Sequence, residues 1–215
     1  MTLAEIARRI QQDHLDVFGA FHPNDADDLN GQTLVMLGPR EPGFWPHFTA
    51  SPEANDGQDD PLDRWSDRVV REAALDLNAQ ALFPFGTPRH PFMSWALRTG
   101  RAWASPVHLL VHDTAGLWVS YRGALLLSDR VALPSAPHSP CDSCDSRPCL
   151  SACPVSALTA SGYDLAACHT FLDTPQGRNC MKSGCDVRKA CPQSQKYHRM
   201  NAQSAFHMDQ FHSCR

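Results

Sequence analysis

All nine cysteines of this 215-residue chain lie after residue 140: Cys141, Cys144, Cys149, Cys153, Cys168, Cys180, Cys185, Cys191 and Cys214. Random scatter would rarely leave the first two thirds of a chain empty. Clustered cysteines in a chain expected to be cytoplasmic point to metal or redox chemistry rather than to a disulfide frame. That expectation of location comes from the opening residues. They mix charged and apolar side chains at helical spacing and lack the apolar core of a secretory signal. No apolar run exceeds four residues, against the ~20 that a membrane-spanning helix needs.

Spacing narrows the chemistry. The first pattern is Cys141-x₂-Cys144-x₄-Cys149-x₃-Cys153-Pro154; the second runs from Gly184-Cys185 through five residues to Cys191-Pro192. A Cys-x₂-Cys turn presents both sulfurs to one point. A Cys-x₃-Cys-Pro step sends its last thiolate elsewhere, and in bacterial-type ferredoxins that last cysteine ligates the other cluster. A [4Fe–4S] cluster takes four thiolates, so eight cysteines between 141 and 191 match two clusters. The sharing rule assigns Cys141, Cys144, Cys149 and Cys191 to the first, and Cys153, Cys168, Cys180 and Cys185 to the second. Two spacings depart from the bacterial pattern. Four residues stand between Cys144 and Cys149 where two are usual, and Cys180 has to supply a ligand that the spread-out second motif lacks. Zinc held by Cys₄ or Cys₃His sites, one cluster with spare thiols, and disulfides are the alternatives. Cys214 is left over as a free thiol.

The rest of the chain reads as an α+β fold. Residues 3–14 and 62–77 show helical periodicity, as does 92–98, which stops at Gly100; 17–21, 33–38 and 81–85 read as strands. Five prolines and two glycines between Pro39 and Pro61 read as irregular chain. Residues 106–112 and 117–121 flank a Gly-containing turn and read as a hairpin, with 124–127 continuing the sheet. On this reading His108, Leu110 and His112 alternate along a strand, which gives the two histidines one face. Three prolines in residues 134–140 mark a linker. The expected domains are therefore a sheet domain over 1–135 and a cluster module over 136–215. The module has little apolar core, so metal binding should supply much of its folding free energy. Residues 201–211 read as a closing helix with Ala205, Met208 and Phe211 on one face.

With the cysteine array, the lone Cys168 and the Cys185–Pro192 motif in view, the chain resembles a shortened epoxyqueuosine reductase, a family of iron–sulfur and cobalamin enzymes of tRNA modification. The likeness extends upstream, to the helix ending at Gly100 that leads through Trp103 into an apolar stretch, and to residues 116–127. The resemblance implies a nitroreductase-like α/β sheet domain followed by a double-cluster ferredoxin-like module, and it too places Cys168 in the second cluster. The family's proton-donating Asp has no counterpart: residues 85–91 hold neither Asp nor Glu, and His90 is the candidate in its place.

Charge adds an exclusion. Residues 1–135 carry 11 basic against 17 acidic side chains, and 136–215 carry 8 against 6, so no basic face for nucleic acid is expected. Three functional readings follow. The first is an electron-transfer protein with two [4Fe–4S] clusters that serves a redox partner protein. The second is an oxidoreductase whose clusters feed a cobalamin or a flavin on the sheet domain. In the third the clusters are structural staples. Arg188 and Lys189, beside Cys185, would raise a cluster's potential; the plainer reading of them is a solvated basic turn. The histidines near the module (His138, His169, His198, His207, His212) read as surface or hydrogen-bonding groups. Trp103, Trp118 and Tyr121 read as core.

Overall fold

The apolar stretches that read most clearly as strands form the middle of a sheet. The computed structural model describes residues 1–213; Cys214 lies outside the described residues. The elements begin with α1 (Leu3–Ile10), β1 (Leu15–Phe21), β2 (Thr33–Pro39), α2 (Phe44–Thr49), α3 (Pro52–Asn55), α4 (Pro61–Asp76) and β3 (Ala79–Leu82). They continue with α5 (Phe92–Arg98), β4 (Ala102–Ala104), β5 (Leu110–His112), β6 (Gly123–Leu127), β7 (Leu158–Thr159) and β8 (Gly162–Tyr163). The last helices are α6 (Leu165–Leu172), α7 (Arg178–Ser183), α8 (Asp186–Ala190), α9 (Pro192–Lys196) and α10 (Asn201–Ser213). The fold is mixed α+β. The chain divides into two compact units, one of Met1–Arg101 with Ser120–Pro137, the other of Ala102–Val119 with the described chain from His138 onward.

The first unit holds a four-stranded antiparallel sheet in the order β1-β2-β6-β3. Every residue of β2 and β6 is buried, as expected of strands covered on both faces. Leu125, paired with both Val35 and Ala81, is wholly enclosed; such a side chain contributes on the order of 1.5–3 kcal/mol. Helix α4 buries Leu62, Trp65, Val69, Val70 and Ala73 at helical spacing. Helix α1 starts with a capping box: Glu5 N–H donates to Thr2 Oγ1 at 3.3 Å, and Thr2 N–H donates to the Glu5 carboxylate at 2.7 Å. Helix α5 ends at Gly100, whose φ of +68° is the left-handed position that favours glycine.

Among the described residues, the second unit has two short ladders, β4 with β5 and β7 with β8, and the helices α6 to α10. Its buried core consists of Val107, Val111, Leu117, Cys149, Leu158 and Val187. Trp103 and Leu109 pack on this core, together with Cys141, Cys153, Cys185 and Cys191. Thiols thus occupy places that aliphatic side chains fill in an ordinary core.

Several elements differ from expectation. The stretch 39–61 is not irregular throughout, because it contains α2 and α3. Pro46 and Pro52 sit in their first turns, where no backbone N–H partner is needed. Phe44 and Phe48 are held there edge-on against Trp65, at centroid distances of 5.4 and 6.0 Å. Strand β3 begins two residues earlier than the reading of 81–85. Of the 106–121 hairpin only the turn forms, closed by an antiparallel bridge between His112 and Gly116; residues 117–121 make no strand. Strand β5 pairs with β4 instead, and Leu117 N–H donates to Ser194 Oγ at 2.8 Å, so a ladder is not where that donor goes. The shared histidine face fails with it: His108 is an exposed turn residue at φ +59°, whereas His112 is enclosed, its Nδ1 accepting from the N–H groups of Thr114 and Ala115. Helix α10 forms, but its buried residues are Gln203 and Ser204, not Ala205, Met208 and Phe211.

Candidate functional site

All eight cysteines between 141 and 191 lie in the second unit, and none is in a disulfide. The local chain of the first four begins with a turn in which Cys144 N–H donates to Cys141 O at 3.3 Å, while Cys141 N–H donates to Ser139 Oγ at 3.2 Å. Arg147, in the left-handed region at φ +39°, redirects the chain into a 3-10 turn, Pro148–Leu150, which buries Cys149. Cys191 joins α8 to α9 in extended backbone. Pro192 then takes the first position of α9, where its missing N–H and fixed φ suit the helix start.

The other four are set differently. Cys153 Sγ accepts from Ala157 N–H at 3.2 Å. Cys168 sits on α6, and Tyr163 Oη–H donates to its sulfur at 3.4 Å. Cys180 is the buried residue of α7 and faces Asp186 Oδ2 at 3.5 Å. Cys185 precedes α8 as its N-cap residue.

Electrostatic neighbours sort these thiols into two sets. Burial, then Cys191, Cys149 and Cys144, pushes the Cys141 thiol above its ordinary pKa. Burial, then Cys191 and Cys144, does the same to Cys149. Cys168 is raised by burial against the Tyr163 hydrogen bond, with Cys185 and Cys153 adding to the rise. Cys180 is pushed up to about 11, by burial first, with the Asp186 carboxylate and Cys185 contributing while the Asp186 N–H opposes. The neighbour relations link Cys141 and Cys149 to each other and to Cys144 and Cys191, and they link Cys168 to Cys153 and Cys185, and Cys180 to Cys185. A bound positive centre favours the thiolate form of such ligands.

Among the described residues, no three Cys, His, Asp or Glu side chains converge closely enough to hold one metal ion. The sulfurs of each set are neighbours that do not meet at a point. A further feature concerns the helix pair formed by α7 and α10. Its buried positions are Cys180 on α7 and Gln203 and Ser204 on α10. Gln203 is fully enclosed, yet neither its amide nitrogen nor its amide oxygen has a partner. A buried carboxamide left without partners costs on the order of 1–3 kcal/mol. A sulfur-rich group bound beside Cys180 would offer the amide N–H its acceptor, so the donor set and this orphaned amide both fit an iron–sulfur group.

Residues outside the cysteine motifs complete the surroundings. Arg188 is not the solvated turn residue of the plainer sequence reading. It is half-buried, donates to Leu117 O, and interacts electrostatically with Cys185 and Tyr163. Lys189 pairs with Asp186 at 2.7 Å. Tyr163 stacks on Phe211 of α10, which stacks in turn on His169 at 4.6 Å. His169 and His212 meet through their Nδ1 atoms at 3.0 Å, and His212 Nε2 faces Asp173 Oδ1 at 3.0 Å, a hydrogen-bonding arrangement. Trp118 is buried with Arg199 over its ring at 5.1 Å. In the first unit, His90 stacks on Trp95 at 5.3 Å, and Tyr121 is buried edge-on to Phe18 at 6.1 Å. Sequence reasoning did not single out Tyr163 or Gln203. A tyrosine five residues before a cysteine carries no spacing signal, and Gln203 lies on what reads as the polar side of its helix. Comparison with protein-family models and with curated proteins returns no match.

Proposed function

We propose that the chain is an iron–sulfur electron-transfer protein that carries two [4Fe–4S] clusters. Cys141, Cys144, Cys149 and Cys191 would hold one, and Cys153, Cys168, Cys180 and Cys185 the other. The observation that supports the reading is that the electrostatic neighbours of Cys141, Cys149, Cys168 and Cys180 among the cysteines are ones that the sharing rule of two-cluster ferredoxins assigns to the same set. When bound, such clusters supply reversible one-electron chemistry at potentials set by burial, charge and hydrogen bonds to sulfur.

The residues of the second unit then have definite tasks. The turn at Cys141 and the 3-10 turn at Cys149 present sulfurs from one short stretch. Pro192 fixes the chain that brings Cys191 in from the far motif. Cys153 leaves the first stretch for the second set. Ala157 N–H and Tyr163 Oη–H donate to sulfur. On this reading the first unit is the nitroreductase-like sheet and the second the ferredoxin-like module of a cytoplasmic protein, and the partner is a one-electron redox protein.

The test is anaerobic reconstitution with ferrous iron and sulfide, with metal and labile-sulfide analysis and Mössbauer spectroscopy. About eight irons and eight sulfides per chain, all in [4Fe–4S] form, is the expected result. Uptake of zinc in preference to iron, or of a single cluster, would overturn it. A parallel titration with cobalamin decides the reductase alternative: a saturable shift of the corrinoid bands would reassign the chain as a corrinoid-dependent reductase.

A further inference from the structure

The two thiol sets differ in what surrounds them. Around the second set, Ala157 N–H donates to Cys153 Sγ at 3.2 Å and Tyr163 Oη–H to Cys168 Sγ at 3.4 Å. The Arg188 guanidinium interacts with Cys185 and is anchored on Leu117 O. It stays charged there, because arginine does not deprotonate in proteins. Around the first set, the Ser139 hydroxyl hydrogen-bonds the Cys141 side chain, and Arg147 acts on Cys149. Arg147 is exposed on its turn, where water and salt screen its charge. Two exposed carboxylates, Asp142 and Asp145, flank Cys144 in the sequence.

One group works the other way. Asp186 faces Cys180 at 3.5 Å, and a carboxylate beside a cluster disfavours the added electron. Its charge is offset by Lys189 at 2.7 Å and by the Asn179 amide at 3.2 Å. The half-buried cation and one further donor to sulfur remain as the net difference between the sets.

We infer that Arg188 and Tyr163 hold the reduction potential of the centre bound by Cys153, Cys168, Cys180 and Cys185 above that of the centre bound by Cys141, Cys144, Cys149 and Cys191. The inference rests on the two-cluster reading above. Its physics is elementary: reduction adds one negative charge to the cluster, and a cation or a polarised O–H directed at a ligand sulfur stabilises the reduced form more than the oxidised one. Tyr163 is fit for this because its hydroxyl donates to the Cys168 sulfur at 3.4 Å and Phe211 stacks on its ring.

The experiment is a potentiometric titration of the reconstituted full-length protein, followed by electron paramagnetic resonance, with iron and sulfide counted first. Wild type should reduce in two separate one-electron steps. Arg188→Gln should lower the upper step alone. At the wild-type midpoint its reduced-to-oxidised ratio should fall about tenfold, equal to about 59 mV for one electron. Arg188→Lys, which keeps the charge, should recover most of the loss. Tyr163→Phe should lower the same step by less, and this partly exposed ring provides the test if Arg188→Gln fails to assemble. Cys168→Ala should remove the upper step and leave the lower. Intact clusters with both midpoints unmoved by Arg188→Gln and Tyr163→Phe would overturn this inference and leave the two-cluster reading standing. Absence of iron and sulfide from the wild type would overturn both.

Discussion

Replacing Gly116 by alanine should damage the first cysteine set from a distance. Gly116 has φ +57°, and a Cβ built on it would lie 2.3 Å from Ser194 N, 2.6 Å from Ser194 Oγ and 2.8 Å from Ser194 Cα. Two costs combine. The left-handed backbone costs an L-residue about 1–2 kcal/mol, and forcing a methyl group into filled space costs about 1–3 kcal/mol more. The second cost cannot be relieved by turning a side chain, because the nearest atom belongs to the backbone of α9. That helix begins one residue after Cys191, and Gln195 N–H donates to Cys191 O at 3.1 Å, so moving Ser194 moves a sulfur. A loss of about 2–5 kcal/mol is a large share of the 5–15 kcal/mol that ordinarily holds a domain together. Reconstituted Gly116→Ala should therefore bind about half the iron of wild type, with the Cys141 set empty and the second set filled, and its unfolding midpoint in urea should fall. Gly57→Ala is the control for backbone alone, since Gly57 has φ +73° and nothing within 4 Å of its Cβ position; it should cost about 1–2 kcal/mol in the first unit. Full iron content and an unchanged midpoint in Gly116→Ala would refute the reasoning.

Three other outcomes are expected. Cys168→Ala should lose the second centre and keep the first, read by iron content and Mössbauer spectroscopy; loss of both or of neither would dissolve the ligand assignment. Removal of iron by chelator under reducing conditions should abolish the cooperative unfolding transition of the second unit and spare that of the first, as followed by hydrogen exchange, because thiols stand where aliphatic side chains would otherwise form the core. The first unit should lose stability in acid. His14 is held below its ordinary 6.5 by burial, then by His47 and Arg40, so its neutral form contributes in full above that value and the contribution disappears as pH falls through the lower folded-state pKa. His14→Gln should flatten the urea midpoint between about pH 7 and 5, and a slope equal to that of wild type would exclude His14 as the group responsible.

The parts of the fold that were legible in the sequence are those where a single physical signal dominates. Leu34–Leu37 and Ala124–Leu127 are short apolar runs without polar interruption, and they become the buried middle strands. Trp65, Val69, Val70 and Ala73 recur at helical spacing and become the buried stripe of α4. The failures come where a distant partner decides. The residues after Gly116 have strand-like composition, but Ser194, 77 positions away, takes the Leu117 N–H, and no local pattern encodes that. Helix α10 buries Gln203 and Ser204 where it packs on α7, a polar inward face that hydrophobic periodicity cannot register. For the candidate site, cysteine spacing proposes the two ligand sets. Arg188 was legible beside Cys185, but the donors Tyr163 and Ala157 become visible only once the chain is folded.

The route of the chain through the two units bears on how the protein is made. Strand β6 pairs with both β2 and β3, yet it follows Ala102–Val119, which belongs to the other unit. On the ribosome, β2 and β3 therefore emerge first and wait with open edges until β6 arrives, a period in which unpaired strands invite association between nascent chains. The inserted segment supplies Val107, Val111 and Leu117 to the cysteine-rich core, so that core is begun before the sheet is closed and finished only after it. A fragment cut at the proline-rich linker would lack those three side chains, which makes the cysteine-rich part a poor candidate for expression or exchange as a detachable cassette.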